Sequence, residues 1–121
     1  MQINRNTSLK YYNTFGIDVK AAHVIELTHL DDWKRIPNPK ECLILGGGSN
    51  VLLTSDLEKT VVLNRLRGIE TVSEDENSIQ LKVASGENWH DFVIYCVNKG
   101  YGGIENLSLI PGSVGAAPMQ N

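Results

Sequence analysis

Apolar residues in this chain fall mostly in short runs bounded by polar or glycine-containing connections, a pattern typical of β-strands. Residues 78–85 alternate, with Ile79, Leu81 and Val83 separated by polar neighbours, and predict a half-buried strand. The composition of the preceding residues 74–77, EDEN, predicts a turn. Further strands are predicted over residues 24–27, 41–46, 51–54, 60–66 and 69–73, with residues 41–46 buried and the last two segments rich in β-branched side chains.

Residues 86–100 have a helical period instead. Their apolar side chains recur at i, i+3, i+4, i+7 and i+8, which predicts a helix packed along one face. Gly100 is suited to end this helix, because glycine adopts the left-handed conformation without a Cβ penalty. The apolar positions are Trp89, Phe92, Val93, Cys96 and Val97.

A second, shorter helix is predicted over residues 30–36. Thr28 followed by Asp31 resembles a capping box, and Pro37 and Pro39 would end the helix. Residues 101–121 contain several glycines and prolines and have no sustained period, so they predict no regular element. A stretch of this kind usually marks a binding loop or a segment that lacks its partner. Strands combined with two helices predict an α+β fold.

Composition and charge exclude several classes of function. The chain has 121 residues, of which 41% are hydrophobic and 21% charged, as expected for one soluble globular domain. A formal net charge of -3 provides no basic surface for nucleic-acid phosphates. No apolar run approaches the ~20 residues of a membrane span, and the N-terminus does not resemble a signal peptide.

Neither the two cysteines nor the three histidines predict a metal site. Cys42 and Cys96 lie in separate apolar segments and are predicted to be buried free thiols, as expected for a protein of the reducing cytoplasm. The histidines are scattered, without the spacing of a ligand set.

The sequence LILGGGSNVLL, residues 43–53, places three consecutive glycines before Ser49 and Asn50. Successive backbone N–H groups in such a turn can converge into a concave nest that binds an anion. Ser49 and Asn50 would add hydroxyl and amide donors. A glycine-rich hairpin turn explains the same residues, and the spacing leaves both interpretations open. The loop is neither a Walker loop nor a Rossmann fingerprint, because no lysine follows Gly48 and an apolar β-like run follows in place of a helix.

The sequence IPGSVGAAP, residues 110–118, is a second candidate binding segment. Pro111 and Pro118 restrict φ on either side of Gly112 and Gly115, which makes the segment rigid and leaves its amides and carbonyls accessible. A mobile surface linker would be more hydrophilic than this sequence, so we favour a ligand-binding role.

Four segments together resemble a known family. The segments NTFG (residues 13–16), LILGGGSNVLL, GENWHDFV and ENLSLIPGSVGAAPMQN occur in that order. In combination they resemble the N-terminal part of the UDP-N-acetylenolpyruvoylglucosamine reductases. The resemblance implies a FAD-binding domain of the vanillyl-alcohol-oxidase type with two small α+β subdomains, residues 1–68 and an incomplete 69–121, and FAD between them.

The resemblance also implies which residues bind the cofactor. The family's diphosphate-binding turn corresponds to Leu45, Gly46, Gly47, Gly48, Ser49 and Asn50. The stretch that runs along the flavin corresponds to Ile110, Pro111, Gly112, Ser113, Val114, Gly115, Ala116 and Pro118. The NTFG segment has no chemical role that we can assign, and packing by Phe15 is the simplest interpretation.

The activity implied by the resemblance is an NADPH- and FAD-dependent reduction that yields UDP-N-acetylmuramate for peptidoglycan synthesis. The family's catalytic serine, with its glutamate and arginine companions, lies in a region that this sequence does not contain. We therefore predict no catalytic residue here: Ser113 is interpreted as a loop residue, His90 and Asp91 as solvated, and Glu87 as favourable near the helix N-terminus. A non-enzymatic nucleotide-binding module and an interaction domain with an apolar tail are the alternatives.

Overall fold

The computed structural model describes residues 1–120 in two units, Met1–Leu66 and a second that begins at Arg67. The first unit is built on a four-stranded sheet with the order β1–β2–β4–β3. Strands β1 and β2 are antiparallel, whereas β4 is parallel to both β2 and β3. The strands are β1 (Ile3–Ser8), β2 (Lys20–Leu27), β3 (Leu43–Leu45) and β4 (Leu57–Asn64).

Strand β4 has apolar residues on both faces of the sheet. Val61 and Leu63 pack in one core cluster with Leu9 and Leu45, and Val62 packs on the other face with Ile25. All three consecutive β4 residues have 0% exposed surface. A strand that is parallel to both neighbours and covered on both faces has a continuous apolar run, which explains why the VVL sequence shows no alternation.

Two of the predicted strands differ from the structure. Residues 51–54 form no strand; Leu53 is buried in the first core cluster through packing alone, and a short apolar run cannot distinguish packing from pairing. The strand predicted over residues 41–46 is limited to β3, at the edge of the sheet, where Ile44 is 53% exposed. The prediction that this strand is buried is therefore wrong for Ile44.

Strand β1 was not predicted, because its sequence INRNTS is polar and its residues are largely exposed. It pairs with β2 through backbone hydrogen bonds, with Ile3 opposite Ile25 and Ser8 opposite Lys20. Asn6 within this strand has a φ of 48°, in the left-handed region. Pairing at an edge depends on the backbone and needs no apolar periodicity.

The short helix of the first unit is a 3₁₀ helix, Leu30–Arg35. The predicted capping box is wrong, since the N-cap is His29 and no side chain caps the helix. Asp32 N–H instead donates to His29 O at 3.1 Å, the i to i+3 pattern of a 3₁₀ turn. After this helix ends, a further 3₁₀ turn occupies Pro39–Glu41.

The second unit begins with a hairpin of antiparallel strands β5 (Ile69–Glu74) and β6 (Ile79–Val83). The predicted turn between them is confirmed. Asp75 Oδ1 accepts hydrogen bonds from the backbone N–H groups of Asn77 at 2.7 Å and Ser78 at 2.8 Å, so the turn is closed by a side chain in the manner of an Asx turn.

Helix α1 (Trp89–Asn98) follows the hairpin and confirms the predicted helix. Of its predicted packed face, Val93 and Cys96 are buried, but Val97 is 47% exposed, so the prediction is wrong for Val97. The Asn88 side chain caps its start by accepting from Asp91 N–H at 2.9 Å. At its end, Gly100 has a φ of 75°, and Tyr101 N–H donates to Cys96 O at 2.8 Å. These features form a Schellman motif, with Gly100 as the predicted left-handed residue.

The prediction that the residues after α1 form no regular element is only partly correct. Short helical turns occupy Glu105–Leu107 and Val114–Ala116, and the four-residue helix α2 spans Ala117–Gln120. The combination of sheet, hairpin and helices confirms the α+β class; the division into two FAD-binding subdomains at residue 68 stays a prediction. None of the helices in residues 1–120 has the length and hydrophobicity required to cross a bilayer.

Candidate functional site

The glycine-rich loop directly follows the C-terminal end of β3. Within residues 1–120, the backbone N–H groups of Gly47, Gly48, Ser49 and Asn50 donate no hydrogen bond to another protein group. Backbone donors in folded proteins are almost always paired with protein or with solvent. Four successive N–H groups in this loop therefore have no protein acceptor within the described residues, and of these residues Gly47 and Asn50 are exposed whereas Gly48 is buried.

Gly48 has both a conformational and a steric reason to be glycine. Its φ is 70°, and a Cβ at this position would lie 2.0 Å from the carbonyl oxygen of Tyr12 and 2.8 Å from Asn13 Cα. Thr14 N–H donates to Gly48 O at 2.9 Å. The loop is thus held against the backbone of residues 12–14.

Asn13 fixes the backbone on which Gly48 rests. Its side chain is buried, and Nδ2 donates to Leu9 O at 2.7 Å and to Ile17 O at 3.1 Å, while Oδ1 accepts from Ile17 N–H at 3.0 Å. The predicted packing role of Phe15 in this segment is wrong, because Phe15 is 66% exposed. The buried residue of NTFG is the asparagine, and its role is to hydrogen-bond both ends of the turn.

The second candidate segment, residues 110–118, pairs with the residues that lead into α1. Trp89 N–H donates to Gly112 O at 3.0 Å and Val114 N–H donates to Glu87 O at 2.8 Å, on either side of a bridge between Asn88 and Ser113. Within the described chain, the N–H groups of Gly112 and Ser113 donate to no protein group. This segment, too, has backbone donors without a protein acceptor, although the amides of residues 114–117 are used.

Gly115 is required by close packing. Its N–H donates to Ser85 O at 2.9 Å, and a Cβ on Gly115 would lie 2.8 Å from Ser85 Cβ. In each candidate segment, therefore, one glycine allows the backbone to approach a neighbouring chain segment too closely for any side chain.

The residues just before this segment are held by the first turn of α1. Trp89 Nε1 donates to Leu107 O at 2.8 Å, and Leu109 N–H donates to His90 Nδ1 at 2.9 Å. Leu109 has a φ of 64°, and its side chain is 80% exposed. The interpretation of His90 as a solvated residue is wrong, because it is half-buried and accepts this bond. No sequence signal connects two residues this far apart.

Glu87 also has a role that sequence analysis did not find. Its Oε1 accepts from Gly68 N–H at 2.8 Å and its Oε2 from Arg67 Nη1 at 3.3 Å. The carboxylate therefore ties the start of the hairpin to the residues that precede α1. A favourable position near the helix N-terminus is only part of the explanation for this residue.

Exposure separates the predicted cofactor-binding residues into groups. Leu45 is buried in the first core cluster, so only its main chain could reach a ligand. Gly48 and Ser113 are buried; Gly46, Ser49, Ile110, Gly112, Val114 and Ala116 are half-buried; and Gly47, Asn50, Pro111, Gly115 and Pro118 are exposed. The two segments lie in different units. Their assignment to a cofactor stays a prediction.

Neither cysteine belongs to the two candidate segments. Burial raises the pKa of the Cys96 thiol, and burial together with the charge of Glu41 raises that of Cys42. Cys96 is buried as predicted, whereas Cys42 is only half-buried. Within residues 1–120, no group of histidine, cysteine and acidic side chains could hold a metal ion.

Comparison with known proteins extends these observations. Residues 19–121 match the FAD binding domain family. The UDP-N-acetylenolpyruvoylglucosamine reductases of Flavobacterium johnsoniae and Amoebophilus asiaticus are 46% and 44% identical to this chain over its whole length. The chain spans 37% of the length of each of these relatives.

A solved structure has the same fold. The crystal structure of UDP-N-acetylenolpyruvylglucosamine reductase from Thermus caldophilus matches 97% of this chain and 41% of its own chain, with a TM-score of 0.73 and 29% identity. The resemblance to the N-terminal part of these reductases is thereby confirmed, as is FAD as the cofactor that the family predicts. The chain belongs to the FAD binding domain family.

Proposed function

We propose that this chain is the FAD-binding portion of an NADPH-dependent reductase that converts UDP-N-acetylglucosamine enolpyruvate to UDP-N-acetylmuramate in peptidoglycan synthesis. The observation that carries the proposal is the row of unpaired N–H groups at residues 47–50, directly after a parallel strand. Ligands of open α/β sheets bind beyond the carboxyl ends of the strands. The names of the relatives support the reaction.

The residues of the first unit fit the diphosphate of FAD. Unpaired N–H groups at Gly47 and Gly48 have no side chains to obstruct a phosphate oxygen, and the Ser49 hydroxyl and Asn50 amide would add donors from the same loop. The loop contains no lysine or arginine, so backbone dipoles would carry most of the anion binding.

The second unit would contribute to binding with its main chain. The N–H groups of Gly112 and Ser113 would donate to polar atoms of the flavin or its phosphates, while Pro111 and the pairing with residues 87–89 keep the segment rigid. FAD, when bound, supplies the hydride chemistry, and the part of the protein is to bind and orient it.

We propose that the chain by itself is catalytically inactive. Its half-buried His90 is used as a hydrogen-bond acceptor, and Glu87 is paired with Arg67 and Gly68. The chain corresponds to 37% of the relatives' length, and the serine that protonates the substrate in the family would lie in the remainder. Oxidation of NADPH coupled to the sugar-nucleotide substrate by this chain alone would contradict the proposal.

The binding proposal is tested by FAD titration, followed by quenching of flavin fluorescence. We expect weak but saturable binding, because a chain that supplies only part of a site loses the opposing contacts. Ser49→Ala removes one hydroxyl donor and should weaken binding by about threefold to tenfold. Ser55→Ala, at an exposed serine outside the loop, is the matched control and should leave affinity unchanged. An absence of saturable quenching, or equal effects of both substitutions, would contradict the proposal.

A non-enzymatic nucleotide-binding module is the second candidate. It is favoured by the position of the whole loop within the first unit, because a diphosphate could bind there without a flavin. Under this alternative, ADP would raise the melting temperature as much as FAD does; under the main proposal, FAD would raise it more. The cytoplasm is the proposed compartment, supported by the two free thiols.

A further inference from the structure

The binding loop depends on a surface that is remote from it in sequence. Gly48 lies against the Tyr12 carbonyl, and its own carbonyl accepts from Thr14 N–H at 2.9 Å. If the peptides of residues 12–14 rotated, both the steric contact and the hydrogen bond would change. The conformation of the loop is therefore linked to that of the turn formed by residues 9–17, which we call the NTFG turn.

The NTFG turn is itself closed around one side chain. Tyr12 N–H donates to Leu9 O at 2.9 Å and Gly16 N–H donates to Asn13 O at 3.1 Å. Asn13 then connects Leu9 and Ile17, the two ends of the turn, by the three side-chain hydrogen bonds described above. Leu9 is fully buried in the core. This anchoring fixes the turn to the sheet, and it fixes the surface under Gly48.

We propose that Asn13 is a positioning residue for the cofactor diphosphate: it holds the NTFG turn in the conformation that keeps the N–H groups of residues 47–50 arranged for an anion. The inference rests on the proposed function, since the diphosphate is the ligand. Asn13 itself does not contact the ligand. Its contribution is to lower the ordering cost of the loop on binding.

A role in stability alone is the competing explanation, because a buried asparagine with three hydrogen bonds contributes to folding in any protein. The two explanations predict different results. A purely structural Asn13 would affect unfolding and leave loop order unchanged in the folded population. A positioning Asn13 would affect the loop selectively, while amides in β2 and β4 remain as protected as in the wild type.

Asn13→Asp is the informative substitution. Aspartate keeps an oxygen that can accept from Ile17 N–H, but it has no N–H to donate to Leu9 O or Ile17 O. Asn4→Asp is the matched control, since it makes the same change at an exposed asparagine of β1, outside the NTFG turn and the loop.

The first measurement is ¹⁵N relaxation and amide exchange of the free chains. We expect faster exchange and lower order at residues 47–50 in Asn13→Asp, with Asn4→Asp like the wild type. An Asn13→Asp chain whose loop is as ordered as that of the wild type would overturn the proposal. This result does not depend on whether FAD binds.

The second measurement is FAD affinity, from shifts of the loop amides. We expect Asn13→Asp to bind about tenfold more weakly than the wild type, and Asn4→Asp to bind as tightly as the wild type. A loosened loop with unchanged affinity would overturn the positioning role. If the wild type does not bind FAD while Asn13→Asp loosens the loop, the proposed function is rejected. The link between Asn13 and the order of residues 47–50 is then still supported.

A third measurement uses only the wild type, in case Asn13→Asp does not fold. Linkage is reciprocal, so a ligand that selects the ordered loop must also stabilise the NTFG turn. Saturating FAD should therefore slow exchange of Thr14 N–H, which donates to Gly48 O, by the factor observed at residues 47–50. Slower exchange at the loop without any change at Thr14 would overturn the proposal.

Discussion

The backbone N–H of Leu109 donates to Nδ1 of His90 at 2.9 Å, across 19 positions in sequence. Leu109 adopts a left-handed conformation that disfavours any residue with a branched or bulky side chain. The hydrogen bond holds this conformation directly before the segment proposed to run along the flavin. His90 is thus a structural acceptor at the start of α1.

Replacing His90 tests this relationship. His90→Leu removes the acceptor, and we expect a loss of about 1 kcal/mol of stability. His90→Asn is the matched variant, because its Oδ1 can occupy the position of Nδ1, and it should recover most of that loss. Urea unfolding of both variants measures the difference. Equal destabilisation by leucine and asparagine would show that the hydrogen bond contributes nothing.

Gly48 and Gly16 form a natural pair for separating backbone strain from steric conflict. Their φ values are 70° and 65°, but a Cβ at Gly16 would meet nothing within 4 Å, whereas one at Gly48 would meet the Tyr12 carbonyl. We expect Gly16→Ala to cost about 1 kcal/mol from left-handed strain alone. Gly48→Ala should cost about 1–3 kcal/mol more. Thermal unfolding provides the comparison, and similar losses would contradict the close packing.

The hairpin turn should depend on pH through Asp75. Hydrogen bonds from the backbone N–H groups of Asn77 and Ser78 lower the pKa of this carboxyl below its ordinary value of 3.8. Because the folded pKa is depressed, the stabilisation is fully present above the unfolded pKa and is lost as the pH falls through the folded one.

The amide chemical shifts of Asn77 and Ser78, followed from pH 6 downwards, should report that titration at a midpoint below 3.8. Asp75→Asn keeps an acceptor oxygen without the charge and should abolish the titration at these amides. A midpoint at or above the ordinary value would show that the turn does not favour the ionised carboxylate.

The two thiols should differ in reactivity. Burial raises the pKa of both, but Cys96 is on the buried face of α1 whereas Cys42 is half-buried. The thiolate is the reactive form, so we expect a disulfide reagent to modify Cys42 slowly and Cys96 only on unfolding. Cys42→Ser should remove the reaction of the folded chain. Equal rates at both thiols would contradict the burial of Cys96.

Local signals allowed prediction of much of the second unit. The apolar stripe of α1, its Gly100 end and the alternation of Ile79, Leu81 and Val83 are all encoded within a few residues of where they act. The hairpin turn is equally local. These elements were predictable because each depends on periodicity or on a conformation that few residues adopt.

Features that depend on distant partners were not predictable. Strand β1 exists because β2 offers a backbone to pair with, and Val51 and Leu53 pack in the first core cluster without belonging to a strand. The glycines of the loop suggested an anion nest. Only the structure shows that the Tyr12 carbonyl oxygen leaves no room for a side chain at Gly48. Asn13 and His90 act across the chain through hydrogen bonds that no spacing reveals.

The sheet of the first unit has two edge strands, β1 and β3. Strand β3 is only three residues long, and Asn6 interrupts β1 with a left-handed backbone conformation. A short or irregular edge strand is a poor template for a strand from another molecule. Replacing Asn6 with a β-branched residue should make β1 a regular edge strand. The protein would then be prone to aggregate through strand addition.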